Sequence, residues 1–403
     1  MVEKYEYLAN EKDFIHLCVP CGDCWAHAPD SPLRKDALPS PYLKCPAYER
    51  HGLILSYAFR GICGMADAVY HWGFTMTRDV AERVYACYTC GMCAQLCWMR
   101  QDTKAIIRNF RTEIIEAGLA PLDVQDTLRS IRDRKHPWRG TRFSRTDWAN
   151  GLNVRSLAED STVDIVYWVG CTGALEDRSM KIAQAMGKLL VLAGVRFGIL
   201  GDEESCCGEP ALSMGDSYLF QEQAEKNINI LKKYNTSRII TTCPHCYNVL
   251  KNDYPKFGSD FEVLHHTEYL ADLIRLGKIK IQKDLMSRVT YHDPCFLGRE
   301  NSVYDPPRQI LTNIVGANLV EMTQNRRWSY CCGGGGGHMW LEDKGIGNRP
   351  NVVRAGHAIE KNAETIVTSC PFCLQQLEDG IRTKELSEPP QVVDIAELLA
   401  SVV

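Results

Sequence analysis

RIITTCPHC, residues 238–246, is the stretch on which the reading of this chain turns. Ile239, Ile240, Thr241 and Thr242 form the β-branched run of a buried strand, and it stops at a C-x2-C pair, Cys243 and Cys246, that opens a helix. TIVTSCPFC, residues 365–373, repeats the pattern with Cys370 and Cys373 in the same places.

The repetition extends in both directions. The cysteines of 171–246, namely Cys171, Cys206, Cys207, Cys243 and Cys246, map onto Cys295, Cys331, Cys332, Cys370 and Cys373 with offsets of 124, 125, 125, 127 and 127 residues. Beyond them, EYLADLI (268–274) matches AELLASV (396–402), at an offset of 129 from Glu268 to Glu397. Ten cysteines and their flanks in one register mark an internal duplication.

Each copy alternates strand and helix. DIVYWV (164–169) reads as a buried strand that reaches Gly170 and Cys171 and gives way to the helix SMKIAQAMGKLLVLAG; Arg196 to Leu200 is a second strand, and a helix near 221–234 leads into RIITT. The second copy repeats the plan from RVTYHDPC through NLVEM and SYCCGGGGG to TIVTSCPFC. Such alternation predicts right-handed crossovers and a parallel sheet, with all five cysteines of a set beyond the carboxyl ends of its strands, where ligands bind.

The first part of the chain differs. SYAFRGICGMADAVYHWGF and KAIIRNFRTEIIEAGL carry helical spacing, and the turn-rich 136–162 reads as a connection. The expected organisation is α/β plus α: a mainly helical domain over 1–135, a linker over 136–162, and duplicated parallel α/β domains over 163–288 and 289–403.

Composition narrows the chemistry. With 403 residues, several domains are expected. The 46 basic and 50 acidic residues give no basic stripe for nucleic acid. Nineteen cysteines, an odd number in a long chain, argue against a disulfide framework and for metal or redox chemistry. The charged start MVEKYEYLANEKD has no signal-like apolar run, and LLVLAGVRFGIL (189–200) is broken by Arg196, so the expectation is a cytoplasmic chain with no membrane span of its own, associated with a membrane only through a partner.

Cys18, Cys21 and Cys24 are spaced C-x2-C-x2-C, and so are Cys87, Cys90 and Cys93. Triplets of this spacing wrap iron–sulfur cubanes, whereas zinc sites favour pairs. They resemble the two-cluster ferredoxins, in which the fourth cysteine of each motif serves the other cluster. The resemblance implies Cys18, Cys21, Cys24 and Cys97 on one [4Fe-4S] cubane and Cys87, Cys90, Cys93 and Cys45 on the other. Two features depart from it: twenty residues separate Cys24 from Cys45, and Trp98 follows Cys97 where proline is usual. Cys63, in RGICGM, reads as a core thiol.

Tetrahedral zinc needs four ligands, and each repeat offers five. A catalytic dithiol explains Cys243 with Cys246 but not the matched vicinal pairs. GCTG, ESCCGEP and TTCPHC, then HDPCFLGR, SYCCGGGGG and TSCPFC, resemble the two CCG domains of heterodisulfide reductase. The whole chain is similar to the catalytic subunit of that family in which two cluster-bearing subunits of the soluble form are fused. The resemblance implies two non-cubane [4Fe-4S] clusters facing a shared cavity in which a disulfide is split, with the ten cysteines Cys171 to Cys373 as the catalytic set.

It also implies that electrons come from a donor protein, such as a flavoprotein, a ferredoxin-like protein or a cytochrome b, and reach a small-molecule or protein disulfide. The glycine run from Gly333 is no dinucleotide fingerprint, since the sixth position is His338 and no acidic residue is placed for a ribose; no flavin or nicotinamide site is expected. The glycines read as permitting close approach of backbone to a cluster. His245, His292 and His338 are candidates for proton delivery or for hydrogen bonds that tune a cluster. Arg299, Arg326 and Arg327 suit an anionic substrate or a plain surface equally. The alternative function is a non-catalytic electron conduit in a bifurcating, acyl-CoA reducing or respiratory complex.

Overall fold

The computed structural model describes residues 5–18, 24, 45–97, 99–140 and 143–403. Cys21, Trp98 and the stretch 25–44 therefore lie outside the described residues. The architecture is mixed: a helical N-terminal region followed by two all-parallel sheets.

The first sheet contains β1 (Arg155–Ser156), β2 (Ile165–Trp168), β3 (Phe197–Ile199), β4 (Arg238–Thr241) and β5 (Glu262–His265), in the spatial order β1-β3-β2-β4-β5. The second contains β6 (Ser287–Tyr291), β7 (Ala317–Leu319), β8 (Thr365–Thr368) and β9 (Gln391–Asp394), in the order β7-β6-β8-β9. Dropping β1 makes the two orders equivalent. β2 and β8, central in their sheets, are buried at every residue, as expected of parallel strands covered by helices on both faces.

β1 comes from the segment whose sequence reads as a linker. It pairs with β3, and Trp148 just before it is fully buried against Tyr167 and Gly187. Two residues of strand are too short to show a period, which is why the sequence pattern is silent there.

The flanking match EYLADLI/AELLASV has a structural basis. β5 runs into the helix His266–Arg275 and β9 into Ile395–Val402, and both helices start with a capping box, His265 with Glu268 and Asp394 with Glu397. The two copies share one core, in which Ile165, Tyr167, Val289, Tyr291, Val367 and Leu399 belong to a single apolar cluster. Across it, His266 Nε2 lies 3.2 Å from Asp394 Oδ1, both side chains fully buried.

In the N-terminal region the main helices are Phe59–Trp72, Arg78–Tyr85, Thr103–Glu116 and Leu122–Arg134. Thr103–Glu116 starts where Asp102 accepts from the Lys104 and Ala105 amides, and it buries Ile106, Ile107, Phe110 and Ile114. Arg111 on this helix is also fully buried; it donates to the carbonyls of Val84, Tyr85 and Cys87 in its own region, of Ser213 in the first repeat and of Gly336 in the second. Among the described residues no helix is long and apolar enough to cross a membrane.

Candidate metal centres

In the first repeat the chain leaves β2 at Trp168, and Gly170, at φ +77°, carries it over Cys246, whose Sγ would lie 3.3 Å from a Cβ there. Cys171 follows in the short helix Gly170–Leu175. Cys206 and Cys207 follow β3, and the Cys206 sulfur accepts from the Gly208 amide at 3.4 Å. Cys243 caps the helix Pro244–Asn248, which places Cys246 in its first turn. The five thiols form a contact chain: Cys171 with Cys206, Cys206 with Cys207, Cys207 with Cys246, and Cys246 with Cys243.

The second repeat reproduces this. Cys295 follows β6, the Cys331 sulfur accepts from the Gly333 amide at 3.3 Å, and Cys370 caps Pro371–Arg382. The chain of contacts runs from Cys295 through Cys331 and Cys332 to Cys373, with Cys332 Sγ 3.2 Å from Cys373 Sγ, and on to Cys370. All ten of these cysteines are buried.

Five buried sulfurs in contact are a donor set for a cation. Contact with Cys206, then burial, raises the Cys171 thiol well above its ordinary range despite Arg145; burial, then contact with Cys332, does the same to Cys373. Such thiols keep their protons until metal replaces them, so binding and proton release are linked. The residues fit an iron–sulfur cluster: vicinal cysteines supply adjacent sulfurs, and glycine amides donate to them.

The polar partners of the two sets differ, and the sequence reading missed most of them. Arg145 Nη2 lies 3.3 Å from Cys171 Sγ, while its Nη1 donates to Glu204 Oε1 at 3.1 Å. Glu204, fully buried, also accepts from the Val169 and Gly170 amides, and burial pushes its carboxyl up to about 6. In the second repeat the partner is His292, which meets Cys332 and Cys373. Arg354 Nε donates to His292 Nδ1 at 3.0 Å, which leaves the other ring nitrogen as the donor toward Cys332. Arg145 and Arg354 lie far from any cysteine motif in sequence.

The other expected residues fall as follows. Arg299 is buried, and its donors are spent on the Cys90 carbonyl at 2.7 Å and the Ser329 carbonyl at 2.6 Å. It therefore sits among cysteines, between the N-terminal region and the second repeat, and not on a substrate surface. Arg326 pairs with Asp305 at the surface, and Arg327 lies over the Trp328 ring. His338 packs on Tyr88, and burial pulls its imidazole down to about 3. His245 is buried between the two repeats, with Nδ1 3.9 Å from Cys243 Sγ and 3.9 Å from Cys370 Sγ.

In the N-terminal region Cys45, Cys87, Cys90 and Cys93 line one pocket, together with Cys24. Burial raises the thiols of Cys45 and Cys93. Cys18 and Cys97 do not line this pocket: Cys18 touches Cys63, whose thiol donates to the Ile15 carbonyl at 3.6 Å, and Cys97 ends the helix Met92–Leu96. The N-terminal and second-repeat sets meet where Cys90 contacts Cys331. The glycine run makes this approach possible, because a Cβ on Gly335 would stand 2.5 Å from the Tyr88 carbonyl oxygen and one on Gly336 2.6 Å from that of Cys87. Its role is therefore as much to seat one cysteine loop on another as to admit a cluster.

Comparison with known proteins agrees with this geometry. A family model for the CCG cysteine-rich domain matches residues 165–251 and 289–378. The HdrD subunit of the dihydromethanophenazine:CoB–CoM heterodisulfide reductase of Methanosarcina barkeri is 33% identical over 80% of this chain and 78% of its own length. The probable iron-sulfur-binding oxidoreductase FadF of Bacillus subtilis and the EtfAB:quinone oxidoreductase of Syntrophomonas wolfei are each 37% identical over 96% of this chain, which spans 60% and 58% of their lengths. A solved structure of a hypothetical protein from Helicobacter pylori shares the fold, with a TM-score of 0.57 at 9% identity, covering all of this chain and 77% of that one.

Proposed function

Because the chain belongs to the HdrD family of heterodisulfide reductase subunits, we propose that it is the subunit of an iron–sulfur oxidoreductase that receives electrons from a partner protein and reduces a disulfide between its two five-cysteine sets. The observation that carries the reading is that both sets are complete and that His245 stands between Cys243 of one and Cys370 of the other, so two sulfur-rich centres face each other across a single side chain.

In this assignment Cys87, Cys90, Cys93 and Cys45 hold one [4Fe-4S] cubane, and Cys18, Cys21, Cys24 and Cys97 hold the other, within an entry module of residues 1–135, although Cys24 also borders the pocket of the first four. Residues 163–288 and 289–403 are the two CCG domains, each holding a non-cubane [4Fe-4S] cluster. The clusters supply one-electron steps and a Lewis-acidic site for sulfur. The reaction balances as RS–SR′ plus two electrons and two protons giving RSH and R′SH. The chain's own part is to exclude water from buried thiolates, to offset their charge with Arg145 and Arg299, to donate a hydrogen bond toward Cys332 from the neutral ring of His292, and to bring Cys90 against Cys331 so that the entry module and the second set are neighbours.

A second reading rests on a different observation. The relatives that match 96% of this chain include an EtfAB:quinone oxidoreductase, which supports the alternative that this chain's cysteine sets relay electrons between a partner protein and another acceptor. EPR spectroscopy of anaerobically purified protein separates the two. A paramagnetic signal that forms only when a disulfide is added to the oxidised protein is the expected result. Cubane signals that no disulfide alters would favour the relay.

A further inference from the structure

The duplication breaks its own symmetry at one position inside the site. Residue x of C-P-x-C is His245 in the first repeat and Phe372 in the second. Each reaches toward the other repeat. Phe372 lines the cavity of the first set beside Cys171, Cys206, Cys207, Cys243 and Cys246. His245 is held between the rings of Phe296, at 4.2 Å, and Phe372, at 4.7 Å, with Nδ1 3.9 Å from the sulfurs of both Cys243 and Cys370. Nε2 is buried and finds no hydrogen-bond partner among the described residues. The two sulfurs are thus the polar contacts that orient the ring.

We infer that His245 is a positioning residue shared by the two five-cysteine centres, its Nδ1–H directed at one ligand sulfur from each repeat, so that a single side chain tunes both. A thiolate bound to metal has no proton to give, so the nitrogen between two such sulfurs is the donor. An N–H directed at a ligand sulfur stabilises the more negative, reduced form of a cluster and raises its potential. The second repeat has only a phenyl ring at the matching place, so the donor comes from one side and the two centres are inequivalent. This rests on the cluster assignment proposed above.

The test compares His245→Phe, which copies the second repeat and keeps an aromatic ring, with His245→Asn, whose amide can place a donor where Nδ1 stands, and His245→Gln, whose amide reaches the Nε2 position instead. Iron content and EPR-monitored redox titrations are read for each, and Cys171→Ser and Cys295→Ser assign the signals to the two centres. The expected result is normal iron content in His245→Phe with both five-cysteine centres shifted to lower potential and the N-terminal cubanes unmoved. His245→Asn restores the wild-type potentials more fully than His245→Gln. Potentials that stay put in iron-loaded His245→Phe, or move at one centre only, overturn the inference while leaving the cluster assignment standing. Absence of the five-cysteine signals from the wild-type protein overturns both.

Discussion

Replacing Arg111 by Met removes the side chain that ties the helical N-terminal region to both repeats. The guanidinium is fully buried and donates to the carbonyls of Ser213 at 2.7 Å, Gly336 at 3.0 Å, Val84 at 3.1 Å, Tyr85 at 3.4 Å and Cys87 at 2.7 Å. Met fills much of the same stem but supplies no donor. The carbonyls of Cys87, Ser213 and Gly336 lie in a loop, in the last turn of a helix and in the glycine run. Leaving a buried acceptor unmatched costs about 1–3 kcal/mol, so these three alone amount to about 3–9 kcal/mol. Burial already pulls the guanidinium below its ordinary range, with the Cys87 thiolate opposing, so removing the charge returns part of that cost. The net loss is about 3–5 kcal/mol, the range for breaking a buried charged network. Urea unfolding of the anaerobic, iron-loaded protein reads it, with tryptophan fluorescence and visible cluster absorbance followed together. Both midpoints should fall, and Arg111→Lys, which keeps a charge but loses the fork, should recover less than half of the loss. A midpoint for Arg111→Met within about 0.5 kcal/mol of wild type at unchanged slope would refute the reasoning.

Arg145→Met removes the cation 3.3 Å from Cys171 Sγ and leaves Glu204 buried without it. Losing a charge-assisted bond of about 1.5–3 kcal/mol should speed iron loss to a chelator from the first set by about tenfold or more while the second set keeps its iron, and equal release from both sets would contradict the assignment. Gly336→Ala and Gly118→Ala both put a side chain at positive φ, +64° and +69°, but only the first meets an atom, the Cys87 carbonyl oxygen at 2.6 Å. Gly118→Ala should therefore cost only about 1 kcal/mol in urea, and Gly336→Ala clearly more with weakened cluster absorbance; equal midpoints would show that the glycine run is not a contact surface. Burial holds the thiols of Cys45, Cys93 and Cys373 above their ordinary range, which makes the protonated, metal-free form the more stable one at low pH. Iron loading of the apoprotein should accordingly rise with pH and release protons, and a loading that does not change with pH would count against thiolate ligation.

What the sequence by itself determined is what local pattern encodes. The β-branched runs at Ile239–Thr241 and Thr365–Thr368, each stopping at a C-P-x-C, specify a parallel strand ending under a helix N-terminus. The constant offset of ten cysteines specifies that this happens twice. Helical spacing likewise located Thr103–Glu116 and Phe59–Trp72, because periodicity is a property of neighbours along the chain. Tertiary structure decided everything that depends on how one copy sits on the other and on the N-terminal region. Arg299 reads equally as a substrate-binding or a surface arginine until its donors are seen on the Cys90 and Ser329 carbonyls, and Arg145 carries no signal until the loop before β1 brings it to Cys171. The Cys90–Cys331 contact, the seating of Gly335 and Gly336 on the Cys87–Tyr88 backbone, and the reach of His245 from Cys243 to Cys370 join residues 125 or more positions apart along the chain. Sequence spacing determines which sulfurs a segment offers, but only the packing of distant segments brings charges, glycines and one imidazole to them.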